Sequence, residues 1–116
     1  MKIQRFEDII AWQKSKDLCI LVYSTYNNCK DFGFKDQIQR AAVSIMNNIA
    51  EGYERQTDKE FRQGLYIAKG SCGELRSMIN LSQDLKLIDP KTSYSLEKCA
   101  IEISKILSGL IKSLSD

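Results

Sequence analysis

The chain has no histidine, one proline and one tryptophan among its 116 residues. Without histidine, neither a Ser-His nor a Cys-His catalytic pair can form, and the Glu-x-x-His metal motif of di-iron bundles is excluded. No apolar run approaches 18 residues, and no basic segment leads into an apolar one at the N-terminus. We therefore expect a cytoplasmic protein with no membrane partner, no catalytic site, no cofactor and no metal ion.

An excess of charge of one sign is also missing. The 17 basic and 15 acidic side chains leave a net charge of +2. Nucleic-acid-binding domains usually carry a larger basic excess, so the total charge neither supports nor excludes an RNA or DNA partner. The four cysteines form no Cys-x-x-Cys pair, which argues against a structural zinc site. We expect reduced thiols that pack as small apolar groups, as Cys72 and Cys99 would on their apolar stripes.

Apolar residues recur with the helical period along the chain, and no segment alternates with the two-residue period of a strand. The pattern predicts an all-α protein with one domain, residues 1–116. Four helices are predicted at about residues 8–27, 34–54, 58–86 and 90–114. Because the loops between them are short, we expect an antiparallel up-down-up-down four-helix bundle.

Two of these helices carry further local signals. Thr57-Asp58-Lys59-Glu60 is a capping box, in which Thr57 and Glu60 each bind a backbone N–H at the start of the third helix. The first helix has an apolar stripe that Lys16 interrupts. The residues predicted to be buried on it are Ile9, Trp12, Cys19, Ile20 and Tyr23.

The third helix also contains an unusual number of small residues. Its three glycines cost roughly 2–3 kcal/mol in helix propensity relative to alanine. The usual compensation is the close approach of another backbone. The predicted helix-packing residues are Gly64, Gly70, Ser71 and Gly73.

The second helix has a polar face that helix propensity does not explain. We call it the α2 polar stripe, and it consists of Arg40, Ser44, Asn47, Asn48, Glu51 and Arg55. These residues fall on one side of a helical projection, opposite the apolar residues of the same segment. Serine and asparagine are poor helix formers, and a solvated face more often uses Lys, Glu and Gln. We therefore expect the stripe to make specific contacts.

The motifs of the second and third helices resemble a known family. The second helix matches Gln-x-x-Arg-Ala-x-x-Ser-x-x-x-Asn-Ile-Ala-Glu-Gly with Gln37, Arg40, Ala41, Ser44, Asn48, Ile49, Ala50, Glu51 and Gly52. The third helix matches a second hallmark with Phe61, Leu65, Ile67, Ala68, Gly70, Ser71, Glu74 and Leu75. The chain thus resembles the S23-like four-helix-bundle proteins, which are encoded within intervening sequences of 23S rRNA genes.

The resemblance implies a bundle that assembles into a ring-like homopentamer and has no established enzymatic activity. It extends to the accessory proteins of diversity-generating retroelements, which associate with nucleic acid and a reverse transcriptase. Two positions depart from the family pattern. Gln39 stands where many relatives have arginine, which weakens the RNA hypothesis, and Met46 stands where many have proline.

Two functional hypotheses follow for the α2 polar stripe together with Lys59 and Arg62. In the first, a non-catalytic homo-oligomer associates with ribosomal RNA or other nucleic acid, and the cations repeat around a ring. In the second, the protein is an assembly adaptor, for example for a reverse transcriptase, without direct nucleic-acid contact. The stripe is then a polar network at a subunit interface. The aromatic residues expected to be exposed for such assembly are Phe32, Phe34, Tyr53 and Tyr66.

Overall fold

The computed structural model describes residues 3–114, which form four α-helices and one short 3-10 helix. The helices are α1 (Ile10–Thr25), α2 (Phe32–Glu54), α3 (Asp58–Asp84) and α4 (Pro90–Ser113), and the 3-10 helix is Phe6–Asp8. No strand occurs in this part of the chain. The prediction of an all-α chain with four helices is confirmed.

Each helix packs against two others around one core. Helix α2 contacts α1 and α3, and α4 contacts α3 and α1, in a body of 44 × 21 × 20 Å. The centre is aliphatic, with fully buried Ile38, Ile45, Leu65, Leu75 and Leu107. Within the described residues, no helix is long and apolar enough to cross a lipid bilayer.

Aspartate side chains fix where α2 and α4 begin. The Asp31 carboxylate accepts the backbone N–H of Phe34 at 3.1 Å, so α2 starts at Phe32, two residues earlier than predicted. The Asp89 carboxylate accepts the N–H of Thr92 at 2.7 Å. This hydrogen bond lowers the pKa of Asp89, because it favours the ionised form. Both caps satisfy N–H groups that have no partner within the helix.

The predicted capping box at the start of α3 forms in part. The Thr57 hydroxyl oxygen accepts the backbone N–H of Glu60 at 3.1 Å, as predicted. The return contact is different, because the Thr57 hydroxyl itself donates to the Glu60 carboxylate at 3.1 Å. The same carboxylate lies 3.4 Å from the Arg55 guanidinium. Glu60 therefore connects the cap to the end of α2.

Replacing Thr57 with alanine is expected to lower the free energy of unfolding by about 1 kcal/mol, because the Glu60 N–H loses its side-chain acceptor. Urea unfolding followed by circular dichroism measures the change. Thr57→Ser is the matched control, since it keeps the hydroxyl and should retain most of the stability. An equal loss in both variants would assign the effect to the methyl group instead of the cap.

The buried face of α1 differs from the predicted stripe. Ile20 and Tyr23 are exposed and Trp12 is half-buried, whereas the helix buries Ala11, Ser15, Leu18, Cys19 and Val22. The reason is that the Ser15 hydroxyl donates to the Ala11 carbonyl at 2.6 Å, so a serine occupies a core position without an unsatisfied polar group. The predicted Ile9 is buried but has extended backbone and precedes the helix.

The thiols follow the expectation of reduced, apolar packing. All four cysteines are free, and Cys72 is fully buried in α3. Burial raises the pKa of Cys72 to about 11, because the thiolate is disfavoured away from water. Cys72 therefore packs as a small apolar side chain at neutral pH, while Cys99 is half-buried against the core.

Candidate functional site

The α2 polar stripe forms the floor of two shallow grooves. One groove, of about 550 Å³, lies beside Tyr23 of α1 and is lined by five stripe residues, Arg40, Ser44, Asn47, Asn48 and Glu51. The other, of about 120 Å³, lies against α3 and contains Asn48, Glu51 and Arg55. The structure thus brings the six stripe residues together along one surface.

The centre of the stripe is a hydrogen-bonded network that joins α2 to α3. The Ser44 and Ser71 hydroxyl oxygens are 2.8 Å apart. The Asn48 amide donates to the Ser44 carbonyl at 2.8 Å and to the Ser44 hydroxyl oxygen at 2.9 Å. These contacts require a hydroxyl and an amide of short reach, which explains the poor helix formers at these positions.

The cations of the stripe are paired with carboxylates. Arg40 lies 3.0 Å from Asp36, one turn earlier on α2. Arg55 lies 3.9 Å from Glu51 and 3.4 Å from Glu60. These groups are exposed apart from Glu60, which is half-buried, so each pair contributes little to stability. Two guanidinium groups facing three carboxylates leave no local positive excess for a phosphate.

Lys59 and Arg62 do not join the stripe. Lys59 is exposed and lines neither groove. The Arg62 guanidinium donates to the backbone carbonyl of Leu114, which follows α4. Arg62 therefore connects the beginning of α3 to the end of α4 and lies away from the predicted site.

Two glycines mark the closest approach of α2 and α3. A Cβ atom on Gly64 would lie 2.7 Å from the Asn48 carbonyl oxygen and 2.9 Å from the Gly52 Cα. A Cβ atom on Gly52 would lie 3.1 Å from the Gly64 Cα. Both residues are buried, so each helix presents bare backbone to the other. The sequence pattern places Gly52 near the end of α2, but it does not predict that Gly64 lies opposite it.

The other small residues of α3 divide into two kinds. Ser71 is buried and bonds Ser44 across the α2–α3 contact. Gly70 and Gly73 are exposed, and a Cβ atom on either would meet no described atom within 4 Å. The prediction that they pack against another helix is wrong within this chain, because they lie on the outer side of α3.

The aromatic residues expected on the surface are also divided. Phe32 is 73% exposed and Tyr66 is 59% exposed. Phe34 is buried against Tyr26, with ring centroids 6.0 Å apart. Tyr53 is half-buried and packs edge-on to Phe61. The expectation is wrong for Phe34 because this residue lies one helical turn before Ile38 and continues the buried face of α2.

Tyr23 is 45% exposed beside the stripe, whereas the apolar pattern of α1 predicts it to be buried. The buried positions of α1 follow the helical spacing of Ala11, Ser15, Leu18 and Val22, and this spacing leaves Tyr23 outside the buried face. A polar serine in that series obscured it.

A further concave surface has no predicted site residue in its lining. It is an apolar groove of about 750 Å³ between the start of α1 and the end of α4. Its main apolar contributors are Ile3, Ile10, Ile106 and Leu110. Gly109, which has no side chain beyond hydrogen, widens it.

Four packed helices with a polar, hydrogen-bonded second helix define this chain as a small helical-bundle protein. Residues 7–109 match the family model described as 23S rRNA-intervening sequence protein. Since the match covers well over half of the chain, the protein belongs to the 23S rRNA-intervening sequence protein family.

The fold is similar to a crystal structure from the S23 ribosomal protein family of Bacteroides thetaiotaomicron VPI-5482, a protein described as having unknown function. The two chains are 27% identical, with a TM-score of 0.83. The similarity covers 89% of this chain and 99% of the other. Among curated proteins, none matches the chain.

Proposed function

We propose that this protein is a non-catalytic, self-associating helical bundle in which the α2 polar stripe contacts another copy. The observation that carries the proposal is the open, charge-balanced groove of the stripe. Asn47 is exposed there, and its side chain makes no hydrogen bond with another described residue. Beside it lies the exposed ring of Tyr23. Tyrosine is enriched at protein–protein interfaces, where polar side chains add directional hydrogen bonds.

The topology we propose is up-down-up-down, with copies closing into a ring. The pairs Ser44–Ser71 and Gly52–Gly64 support an antiparallel α2–α3 arrangement, because residue numbers rise on α2 as they fall on α3. A ring of identical copies requires two different patches that meet head to tail. Five copies is the number that the family resemblance suggests.

The proposed setting is the cytoplasm, in association with ribosomal RNA or another nucleic acid. The description of the family as 23S rRNA-intervening sequence proteins supports this setting. The competing proposal is an adaptor for a protein such as a reverse transcriptase. In either setting the paired state of Arg40 and Arg55 favours protein contact at the stripe over phosphate contact. The missing histidine supports a non-catalytic role.

Asn47→Arg tests the proposed contact. We expect the wild-type chain to exceed its 13.3 kDa monomer mass in size-exclusion chromatography with light scattering at about 10 μM, a concentration at which micromolar contacts form. The variant should elute as the monomer, because a long cation at the groove floor blocks close contact.

Asn80→Arg is the matched control. Asn80 is also exposed within a helix and its side chain makes no hydrogen bond with another described residue, but it lies on α3. The control should keep the wild-type mass. A wild-type monomer under these conditions overturns self-association. An Asn47→Arg variant that remains oligomeric would show that the contact lies elsewhere on the surface.

A further inference from the structure

A row of lysines runs along the outer side of α4. Lys91, Lys98, Lys105 and Lys112 are spaced by seven residues, and all four are exposed. Seven residues are nearly two helical turns, with a drift of about 20° per step. The four ammonium groups therefore follow one line over about 31 Å of helix.

Helix α3 adds a second basic row with the same spacing. Arg62, Lys69 and Arg76 are also seven residues apart. The row lies on the side of α3 that adjoins α4, because Arg62 bonds the Leu114 carbonyl and Lys69 shares a groove of about 310 Å³ with Lys112. We call these seven residues together the basic face.

No carboxylate of the described residues forms an ion pair with a cation of the basic face. Every ion pair among residues 3–114 involves Arg5, Lys14, Arg40 or Arg55, all outside the face. Helix α3 has four acidic residues, Asp58, Glu60, Glu74 and Asp84, and none of them forms an ion pair with a cation of the face. Helix α4 has two, Glu97 and Glu102. Of these, Glu102 lies 3.1 Å from Lys14 of α1, and Glu97 is half-buried. The net charge of +2 thus conceals a surface on which cations predominate.

Two exposed tyrosines lie within this surface. Tyr66 of α3 is 59% exposed and lines the groove with Lys69 and Lys112. Tyr94 of α4 is 68% exposed and lies one turn after Lys91. No other large apolar side chain of α4 is exposed, so α4 presents no aliphatic group suited to insertion into a membrane.

We propose that the basic face binds single-stranded nucleic acid, with its cations on the phosphates and Tyr66 and Tyr94 stacked on unpaired bases. Cations that follow the backbone and aromatic rings that stack on bases are the two components of such sites. Stacking requires bases that are splayed out, which favours a single strand over a duplex. This proposal rests on the nucleic-acid association proposed above and assigns to it a surface and a strand type, but it does not require self-association.

The test is a fluorescence anisotropy titration of a labelled 15-nucleotide single-stranded RNA of mixed sequence with the full chain. Binding should weaken linearly on a log-log plot between 50 and 200 mM salt, with a slope of about −0.7 per phosphate contact. The triple variant Lys98→Gln, Lys105→Gln, Lys112→Gln should lose at least about tenfold in affinity at 50 mM salt, and its slope should be shallower by about 2.

A second triple variant is the matched control, because it removes three positive charges outside the basic face. Lys16→Gln, Lys30→Gln, Lys35→Gln alters α1, the following loop and the start of α2 and should stay within about twofold of wild type, because these cations lie off the face. Equal losses in the two triple variants would overturn the proposal. Absence of binding by the wild type at 50 mM salt would overturn it as well.

The tyrosines are tested separately. Tyr66→Ala with Tyr94→Ala should weaken binding by about fivefold or more with an unchanged salt slope, because stacking is not ionic. Phe32→Ala, which removes another exposed ring, is the control and should have no effect. Equal affinity for a 15-base-pair duplex contradicts stacking. If the protein sediments with phosphatidylserine vesicles and shows no RNA binding in the anisotropy titration, the basic face would instead be a membrane-binding surface.

Light scattering of each variant at the titration concentration separates the two proposals. A basic-face variant that keeps the wild-type mass and loses RNA has lost only the nucleic-acid contact. A wild-type monomer that still binds RNA overturns self-association and leaves the basic-face proposal supported.

Discussion

Replacing Gly64 with alanine is expected to lower the free energy of unfolding by about 2–3 kcal/mol. The added Cβ would lie 2.7 Å from the Asn48 carbonyl oxygen and 2.9 Å from the Gly52 Cα. Both atoms belong to the backbone of α2, so the contact cannot be relieved by a side-chain rotation. The helices must separate, and this cost exceeds the gain of about 1 kcal/mol in helix propensity.

Gly70→Ala is the matched control for this prediction. Gly70 lies in the same helix, and its new Cβ would meet no described atom within 4 Å. Its free energy of unfolding should therefore rise by about 0.5–1 kcal/mol, because alanine is the better helix former. Urea unfolding of both variants measures the contrast. If the two variants are equally stable, the close contact of α2 and α3 is refuted.

The second large effect is expected at the buried hydroxyl pair of Tyr26 and Ser82. The two oxygens are 2.7 Å apart, and Tyr26 is only 1% exposed. The Ser82 hydroxyl donates to the Ile79 carbonyl at 2.8 Å, so the proton between the pair belongs to Tyr26. Burial raises the pKa of Tyr26, which keeps this hydroxyl protonated at neutral pH.

Ser82→Ala is therefore expected to lower the free energy of unfolding by about 2 kcal/mol, because the buried Tyr26 hydroxyl loses its acceptor. Tyr26→Phe should cost only about 1 kcal/mol, since the serine keeps its bond to Ile79. In the double variant no unsatisfied hydroxyl remains, so its loss should be smaller than the sum of the single losses. Additive losses in urea unfolding would show that the pair is not coupled.

Local signals in the sequence predict the helices well and their contacts less well. The Thr57 cap was predictable because all of its partners lie within three residues. The sequence could not distinguish the packing of Gly64 from that of Gly70, because both are helical glycines and they differ only in which atoms lie opposite them. Ser15 misled the assignment of the α1 core because its hydrogen bond to Ala11 makes a polar residue behave as a buried one.

The candidate site was recognisable as unusual, but its chemistry was not. The poor helix formers Ser44 and Asn48 indicated a specific contact, and the partner, Ser71, lies 27 residues away from Ser44 in sequence. The pairing of Arg55 with Glu60 likewise joins two helices. The lysine row of α4 was present in the sequence as a seven-residue repeat. Its importance depends on Lys69 of α3 lying beside it.

The close contact of α2 and α3 has a consequence for how the chain folds. Only Arg55, Gln56 and Thr57 separate the two helices, so the loop-closure entropy of bringing Gly52 to Gly64 is small. Contacts of such short sequence separation form quickly. We expect this hairpin to be the folding nucleus onto which α1 and α4 dock.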